Sequence, residues 1–88
     1  MEIIYSSSFF KSIKKEKNKE ILEKIEITIT NVKDANSINE ISNIKKLTGH
    51  KNYYRIKIGD YRLGIEIINE IDDFMEFQHR KDIYKKFP

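Results

Sequence analysis

Residues 53–67 read YYRIKIGDYRLGIEI, and the Gly59-Asp60 pair at their centre decides the fold. A two-residue, glycine-containing loop between two strand-like runs fixes the register of the strands it joins. Ile58 then faces Tyr61, Ile56 faces Leu63 and Tyr54 faces Ile65. Because side chains alternate across a strand, these apolar pairs share one face, the core. Arg55, Lys57, Arg62, Gly64 and Glu66 occupy the other, mostly cationic face.

That second face carries two unusual juxtapositions. Lys57 lies opposite Arg62, and like charges across a strand pair destabilise it by roughly a few tenths of a kcal/mol or more, so the pairing expects an anion. Arg55 lies opposite Gly64, where the missing side chain leaves room for a bulky ligand or for close backbone approach. Exposed strand faces often carry Lys and Arg simply for solubility and to blunt sheet edges. Here, however, residues 45–62 hold six cations, Lys45, Lys46, Lys51, Arg55, Lys57 and Arg62, against the single acid Asp60. Clustering of this kind is the electrostatic footprint of a nucleic-acid site, and it points to RNA phosphate.

Composition bounds the rest. Eighty-eight residues suffice for one domain with a single modest core, and residues 1–88 are read as one domain. The formal net charge is +3, and all of the excess lies in the second half: residues 1–44 balance seven Lys with seven acids, whereas residues 45–88 set ten cations against seven acids. With no cysteine, disulfides and thiolate metal sites are excluded. No apolar run approaches the roughly 20 residues that cross a bilayer, and MEIIYSSSFF (Met1–Phe10) lacks the layout of a signal peptide. A cytoplasmic location without membrane association is expected, and neither a metal nor another cofactor is expected.

Along the chain, Glu2–Tyr5 reads as a short strand, and Ser6, Ser7 and Ser8 offer an N-cap for a short helix carrying Phe9, Phe10 and Ile13. KKEKNKE (Lys14–Glu20) is a solvated corner. Ile21, Ile25, Ile29 and Val32 then form the stripe of an amphipathic helix, flanked by Leu22 and Ile27, although the β-branched run Ile27–Thr30 also suits a strand. Lys33–Ser42 reads as a polar loop, Asn69–Asp73 as a turn, Phe74–Arg80 as a last strand, and Asp82–Pro88 as a tail or helical turn. In that last strand Met75 and Phe77 share one parity, and Glu76, Gln78 and Arg80 the other. If Met75 and Phe77 enter the core, Arg80 joins the cationic face. The predicted class is α+β, in the order β-α-α-β-β-β, with two N-terminal helices on a small, mainly antiparallel sheet.

This order resembles the RelE/ParE superfamily of toxin-antitoxin toxins, and within it the RelE-like messenger-RNA interferases. The resemblance rests on IKKLTGHKNYYRIKIGDYRLGIEI (Ile44–Ile67) and HRKDIYKKFP (His79–Pro88). They are similar to the family's K-L-x-G segment, its Y-R-I-x-x-G-x-Y-R hairpin and its terminal H-R-x-x-x-Y. The resemblance implies a RelE-like fold and metal-independent cleavage of messenger RNA in the ribosomal A site. It also implies inhibition by an antitoxin from the same operon, with DNA contacted only indirectly through that antitoxin. Arg55, Lys57, Arg62, Arg80 and Tyr84 match the family's catalytic positions. A ParE-like poison of DNA gyrase that cuts nothing, and a degenerate toxin retaining only antitoxin binding, are the alternatives.

Cleavage of this type is transphosphorylation by the 2′-hydroxyl, which needs a base, cations around the developing charge and an acid at the leaving oxygen. Arg55 and Arg62 suit bidentate clamping of non-bridging oxygens, Arg80 suits the leaving group, and Tyr84 suits positioning of the phosphate or a base. Lys57 could be a base only when neutral, and the like charges of Arg55 and Arg62 disfavour its charged form. His79, Glu66 and Glu76 are further acid-base candidates, set against a core-edge role for His79 and simple neutralisation of arginines by the two glutamates. Lys45, Lys46, Lys51, Tyr53 and Lys81 complete the candidate RNA-binding set, with Tyr53 available for stacking on a nucleotide. His50 reads as a surface residue.

Overall fold

The computed structural model describes all residues from Met1 to Pro88. Strands β1 (Glu2–Tyr5), β2 (Ile44–Lys46), β3 (Tyr53–Ile58), β4 (Tyr61–Ile68) and β5 (Ile71–His79) form one sheet, and the helices are α1 (Ser7–Lys15), α2 (Lys19–Asp34) and α3 (Ile83–Lys86). The sheet order is β1-β5-β4-β3-β2. β1 runs parallel to β5 and every other pairing is antiparallel.

The β3–β4 hairpin has the predicted register: Ile58 pairs with Tyr61, Lys57 with Arg62, Ile56 with Leu63, Arg55 with Gly64 and Tyr54 with Ile65. Gly59 adopts φ +57° at the loop, the left-handed conformation that glycine takes without steric penalty. Ile56, Ile58, Leu63, Ile65 and Ile67 are buried on one face of the hairpin. There they meet Phe9 of α1 and Ile21, Ile25 and Val32 of α2, so both long helices cover that face. Tyr5, Phe9 and Phe74 form an aromatic group with ring centroids 5.5–5.6 Å apart.

Several boundaries differ from the sequence expectation. A fifth strand, Ile44–Lys46, pairs with β3 at the sheet edge; three residues are too few to show periodicity. Helix α2 continues through Ile27–Thr30 to Asp34, and Ile38–Glu40 forms a 3-10 turn within the expected loop. Ile27 is exposed, outside the buried stripe. The β4–β5 turn contracts to Asn69 and Glu70, both at positive φ, so Ile71, Asp72 and Asp73 belong to β5.

A bulge between Gly64 and Ile65 alters the parity of β5. Gly64 pairs with Glu76 but Ile65 pairs with Phe74, leaving Met75 as the extra residue. Phe74 and Phe77 therefore enter the core, and Met75 does not. The same shift buries Asp72, whose neighbours across the strands are Ile3 and Ile67.

The helix entries have different solutions. Ser6 stands at the N-cap of α1, but its hydroxyl donates to Asp73 Oδ1 at 3.0 Å and ties β1 to β5 instead of capping the helix. At α2 the Asn18 side-chain oxygen accepts from the Glu20 and Ile21 amides at 2.9 and 3.4 Å, satisfying donors that the helix cannot. Asn18→Ala is expected to cost about 1 kcal/mol, or a fall of roughly 4–8 °C in melting temperature for a domain of this size, readable by thermal denaturation. The Met1 ammonium donates to the carbonyls of Val32, Lys33 and Ala35 at 2.9–3.1 Å, where positive charge complements the C-terminal end of α2.

Candidate nucleic-acid interface

The outer sheet face, turned away from α1 and α2, is built from two rows. In one, Lys45 of β2, Arg55 of β3 and Gly64 of β4 lie side by side. In the next, Lys57 faces Arg62. The four cations of these rows, Lys45, Arg55, Lys57 and Arg62, line with Asn43, Ile44 and Tyr84 an open cavity of about 440 Å³ that contains no carboxylate. A second cavity of about 310 Å³ adjoins it through Lys45 and Arg55 and continues to Lys46, Thr48 and His50.

The cations here are not neutralised. The molecule contains a single ion pair, Lys24 with Glu20 at 3.8 Å, on α2. The expectation that Glu66 and Glu76 neutralise neighbouring arginines is therefore corrected. Glu76 instead accepts from the Gln78 amide at 3.3 Å, and Glu66 faces Tyr53 on one side and Asp73 on the other. Neither lines the cavity around Lys57.

Two arginines are held by groups other than acids. Arg62 Nη1 donates to the carbonyls of Gly59 and Tyr61 at 3.0 and 2.9 Å, which fixes the side chain against the hairpin loop and offsets its repulsion from Lys57. The Nε–Nη2 edge remains to clamp an anion. The Arg55 guanidinium lies 4.5 Å from the centre of the Tyr84 ring, a cation–π contact. Its Nε is buried without a hydrogen-bond partner, an unmet donor beside a cationic cavity.

Tyr84 reaches this face because α3 folds back across the sheet. Ile83 and Phe87 are buried while Tyr84 is 73% exposed, so the short helix turns two apolar residues inward and leaves the tyrosine outward. Phe87 occupies the space above Gly64, which sequence reading offered to a ligand: a Cβ added there would fall 2.5 Å from Phe87 Cγ. The occupant is the chain's own tail. Phe87 escaped sequence analysis, although its spacing of four from Ile83 was a helical signal for a docked turn.

The remaining candidates are dispersed. Arg80 is exposed just beyond β5, its amide donating to the Asp60 carbonyl at 2.7 Å. That places it beside the loop that holds Arg62, but outside the cavity lining. His79 pairs with Tyr61, on the helix-covered face, with the rings 5.5 Å apart in an edge arrangement. Its Nδ1 accepts from the Lys81 amide at 3.2 Å, so His79 is away from the cationic cavity. Tyr53 shares the outer face, but its ring rests edge-on against Phe87 at 5.2 Å and near His50 at 5.8 Å. Lys46 pairs with Tyr54 at the edge, and with Lys51 it lines the wall of the Leu47–Lys51 loop. Lys81 is exposed after β5.

Comparison with known proteins places this architecture. Residues 3–84 match the family described as ParE toxin of the type II toxin-antitoxin system, parDE. The chain is 37% identical to Toxin RelE3 of Methanocaldococcus jannaschii over 89 aligned positions, covering all of both chains. Its structure is similar to that in the RelB-RelE antitoxin-toxin complex from Methanococcus jannaschii, with a TM-score of 0.82 and 36% identity over 97% of this chain and 99% of that one. The archaeal RelE-RelB complex from Pyrococcus horikoshii shares the fold, with a TM-score of 0.73 at 16% identity over 90% and 93% of the two chains. The chain belongs to the RelE/ParE superfamily and is a type II toxin of the RelE family. No helix is long and apolar enough to cross a membrane.

Proposed function

We propose that this toxin is an endoribonuclease that cleaves messenger RNA in the ribosomal A site by 2′-hydroxyl transphosphorylation, and so stops translation. The observation that carries the reading is the convergence of Arg55, Lys57, Arg62 and Tyr84 on one open, carboxylate-free cavity. A phosphodiester is the group such a cavity attracts. In the reaction the 2′-oxygen loses its proton and bonds to phosphorus, the P–O5′ bond breaks, and the 5′-oxygen takes up a proton as the 2′,3′-cyclic phosphate forms. Arg55 and the free edge of Arg62 bind the non-bridging oxygens, where guanidinium groups serve best. Lys57, between them, takes the 2′-proton when neutral, or otherwise adds to the stabilising charge. Arg80, beside the Asp60 turn, faces the leaving group, and the exposed ring of Tyr84 supports the phosphate or a neighbouring base. The chemistry requires no metal. His79, Glu66 and Glu76 have no step in this scheme: His79 packs against Tyr61 on the helix-covered face, Glu76 accepts from Gln78, and Glu66 lies between Tyr53 and Asp73.

The protein works in the cytoplasm, and Lys45, Lys46, Lys51 and Lys81 extend the positive surface toward RNA. Its own inhibitor is a cognate antitoxin from the same operon, a reading supported by the RelB-RelE complexes that share the fold. DNA is reached only through that antitoxin. Because the site lacks an evident strong base, substrate alignment is left to the ribosome, and activity on free RNA is feeble.

Expression in growing cells followed by primer extension tests the proposal. Cuts within translated codons, and little cutting of naked transcripts by the purified protein, are expected. Intact messages accompanied by double-strand DNA breaks would establish gyrase poisoning instead. Intact messages without such breaks would leave a degenerate toxin that only binds antitoxin.

A further inference from the structure

Outside the cationic cavity, the most closely fitted feature of the outer face is the contact between Gly64 and Phe87. Gly64 is buried in the middle of β4 and its backbone does not require glycine, since its φ is not in the left-handed region. What requires glycine is the ring above it. The three nearest atoms to an added Cβ are Phe87 Cγ, Cδ2 and Cδ1, at 2.5, 2.6 and 2.8 Å. Phe87 is only 2% exposed and its ring also meets Tyr53, 5.2 Å away in an edge arrangement. Its amide donates to the Ile83 carbonyl at 2.8 Å, closing the turn that carries Tyr84.

We propose that Phe87 is a positioning residue for Tyr84: seated in the notch left by Gly64, it holds the Ile83–Lys86 turn so that the Tyr84 ring meets the Arg55 guanidinium at the mouth of the cavity. The geometry makes this mechanical. Tyr84 is 73% exposed and has no burial of its own to hold it. Its place is set by the buried residues on either side, Ile83 before it and Phe87 after it. Ile83 fixes where the turn begins, and Phe87 fixes its rotation about the helix axis. Freed of Phe87, Tyr84 swings with the tail, and Arg55 loses the ring that orients it. Displacements of about 1 Å in a reacting constellation can cost on the order of 10²-fold in rate.

The effect on catalysis rests on the nuclease reading, whereas the effect on the Arg55–Tyr84 contact does not, so two measurements separate them. The first is nuclear magnetic resonance of the purified chain, following cross-relaxation between the Tyr84 ring and the Arg55 side chain. Wild type is expected to show the contact, and Phe87→Ala and Gly64→Ala are each expected to lose it while keeping the amide spectrum of the β3–β4 hairpin. Phe87→Leu, which refills the notch, is expected to recover most of it. The second is ribosome-dependent cleavage, where Phe87→Ala is expected to be about 10- to 100-fold slower. It should cost nothing further in a Tyr84→Ala background. The Gly64→Ala, Phe87→Ala double variant should be no worse than either alone, because the evicted ring is the whole of the damage. A preserved Arg55–Tyr84 contact in Phe87→Ala, or a rate loss that adds in full to that of Tyr84→Ala, would overturn the proposal. If wild type cuts no RNA, the nuclease reading fails and the resonance measurement still decides whether Phe87 sets the contact.

Discussion

Arg55→Ala and Arg62→Ala are each expected to slow messenger-RNA cleavage by about 10²–10³-fold, equivalent to roughly 3–4 kcal/mol of transition-state stabilisation. Loss of growth inhibition on expression should accompany the slower cutting. The magnitude follows from where the charge sits. Both side chains line a cavity without carboxylates, so their positive charge is available to the extra negative charge that develops on the phosphate, and no competing acid screens it. The Lys variants should recover only part of the rate, since an ammonium cannot bind two oxygens side by side. Neither arginine belongs to the buried core, so melting temperatures should stay close to wild type. Undiminished cleavage by the purified alanine variants, measured by primer extension on translating ribosomes, would remove the cationic cavity as the reaction site.

A comparably large effect is expected on stability, at a residue with no part in the chemistry. Asp72 is fully buried and neither carboxylate oxygen has a hydrogen-bond partner. Burial pushes its pKa up from 3.8 to about 6, against the opposing influence of the N-terminal ammonium. The folded state therefore holds this proton more tightly than the unfolded chain. Stability contributed by Asp72 is fully present below about pH 4, declines as pH rises toward 6, and is flat above that. A shift of about two units corresponds to roughly 3 kcal/mol. Asp72→Asn, which keeps the shape without the charge, is expected to be more stable than wild type at pH 8 by up to about 3 kcal/mol, the two converging near pH 4. Urea unfolding at several pH values reads this directly. A variant less stable than wild type at pH 8 would show instead that the carboxylate is held by the α-amino group and contributes favourably.

The parts of the fold that were legible in the sequence are those with strong local causes. The Gly59-Asp60 loop dictated five residue pairings in the β3–β4 hairpin, and all five are present. The Ile21, Ile25 and Val32 stripe marked the buried side of α2. The grouping of Arg55, Lys57 and Arg62 followed from that same loop, because a two-residue connection leaves no freedom of register. Beyond β4 the local signal failed. The bulge opposite Gly64 expelled Met75 from the core and buried Asp72, and neither could be read from alternation, which assumes an unbroken pleat. Asp72 and Asp73 read as part of the Asn69–Asp73 turn, yet the tight turn at Asn69 and Glu70 carries them into β5.

By itself, then, the sequence determined the cationic face: which strands pair, in which register, and which side chains alternate toward solvent. These are consequences of chirality, pleat and turn geometry acting over a few residues. Tertiary structure alone decided what covers that face. Whether Gly64 would receive a ligand, a backbone or a side chain depended on how the far C-terminal residues returned across the sheet, and that return is governed by burial of Ile83 and Phe87. The alternation of β5 had already put His79 on the side of Phe77, whereas the isolation of Asp72 and the meeting of Tyr84 with Arg55 are both set by packing between distant segments. Such contacts leave no periodic trace along the chain.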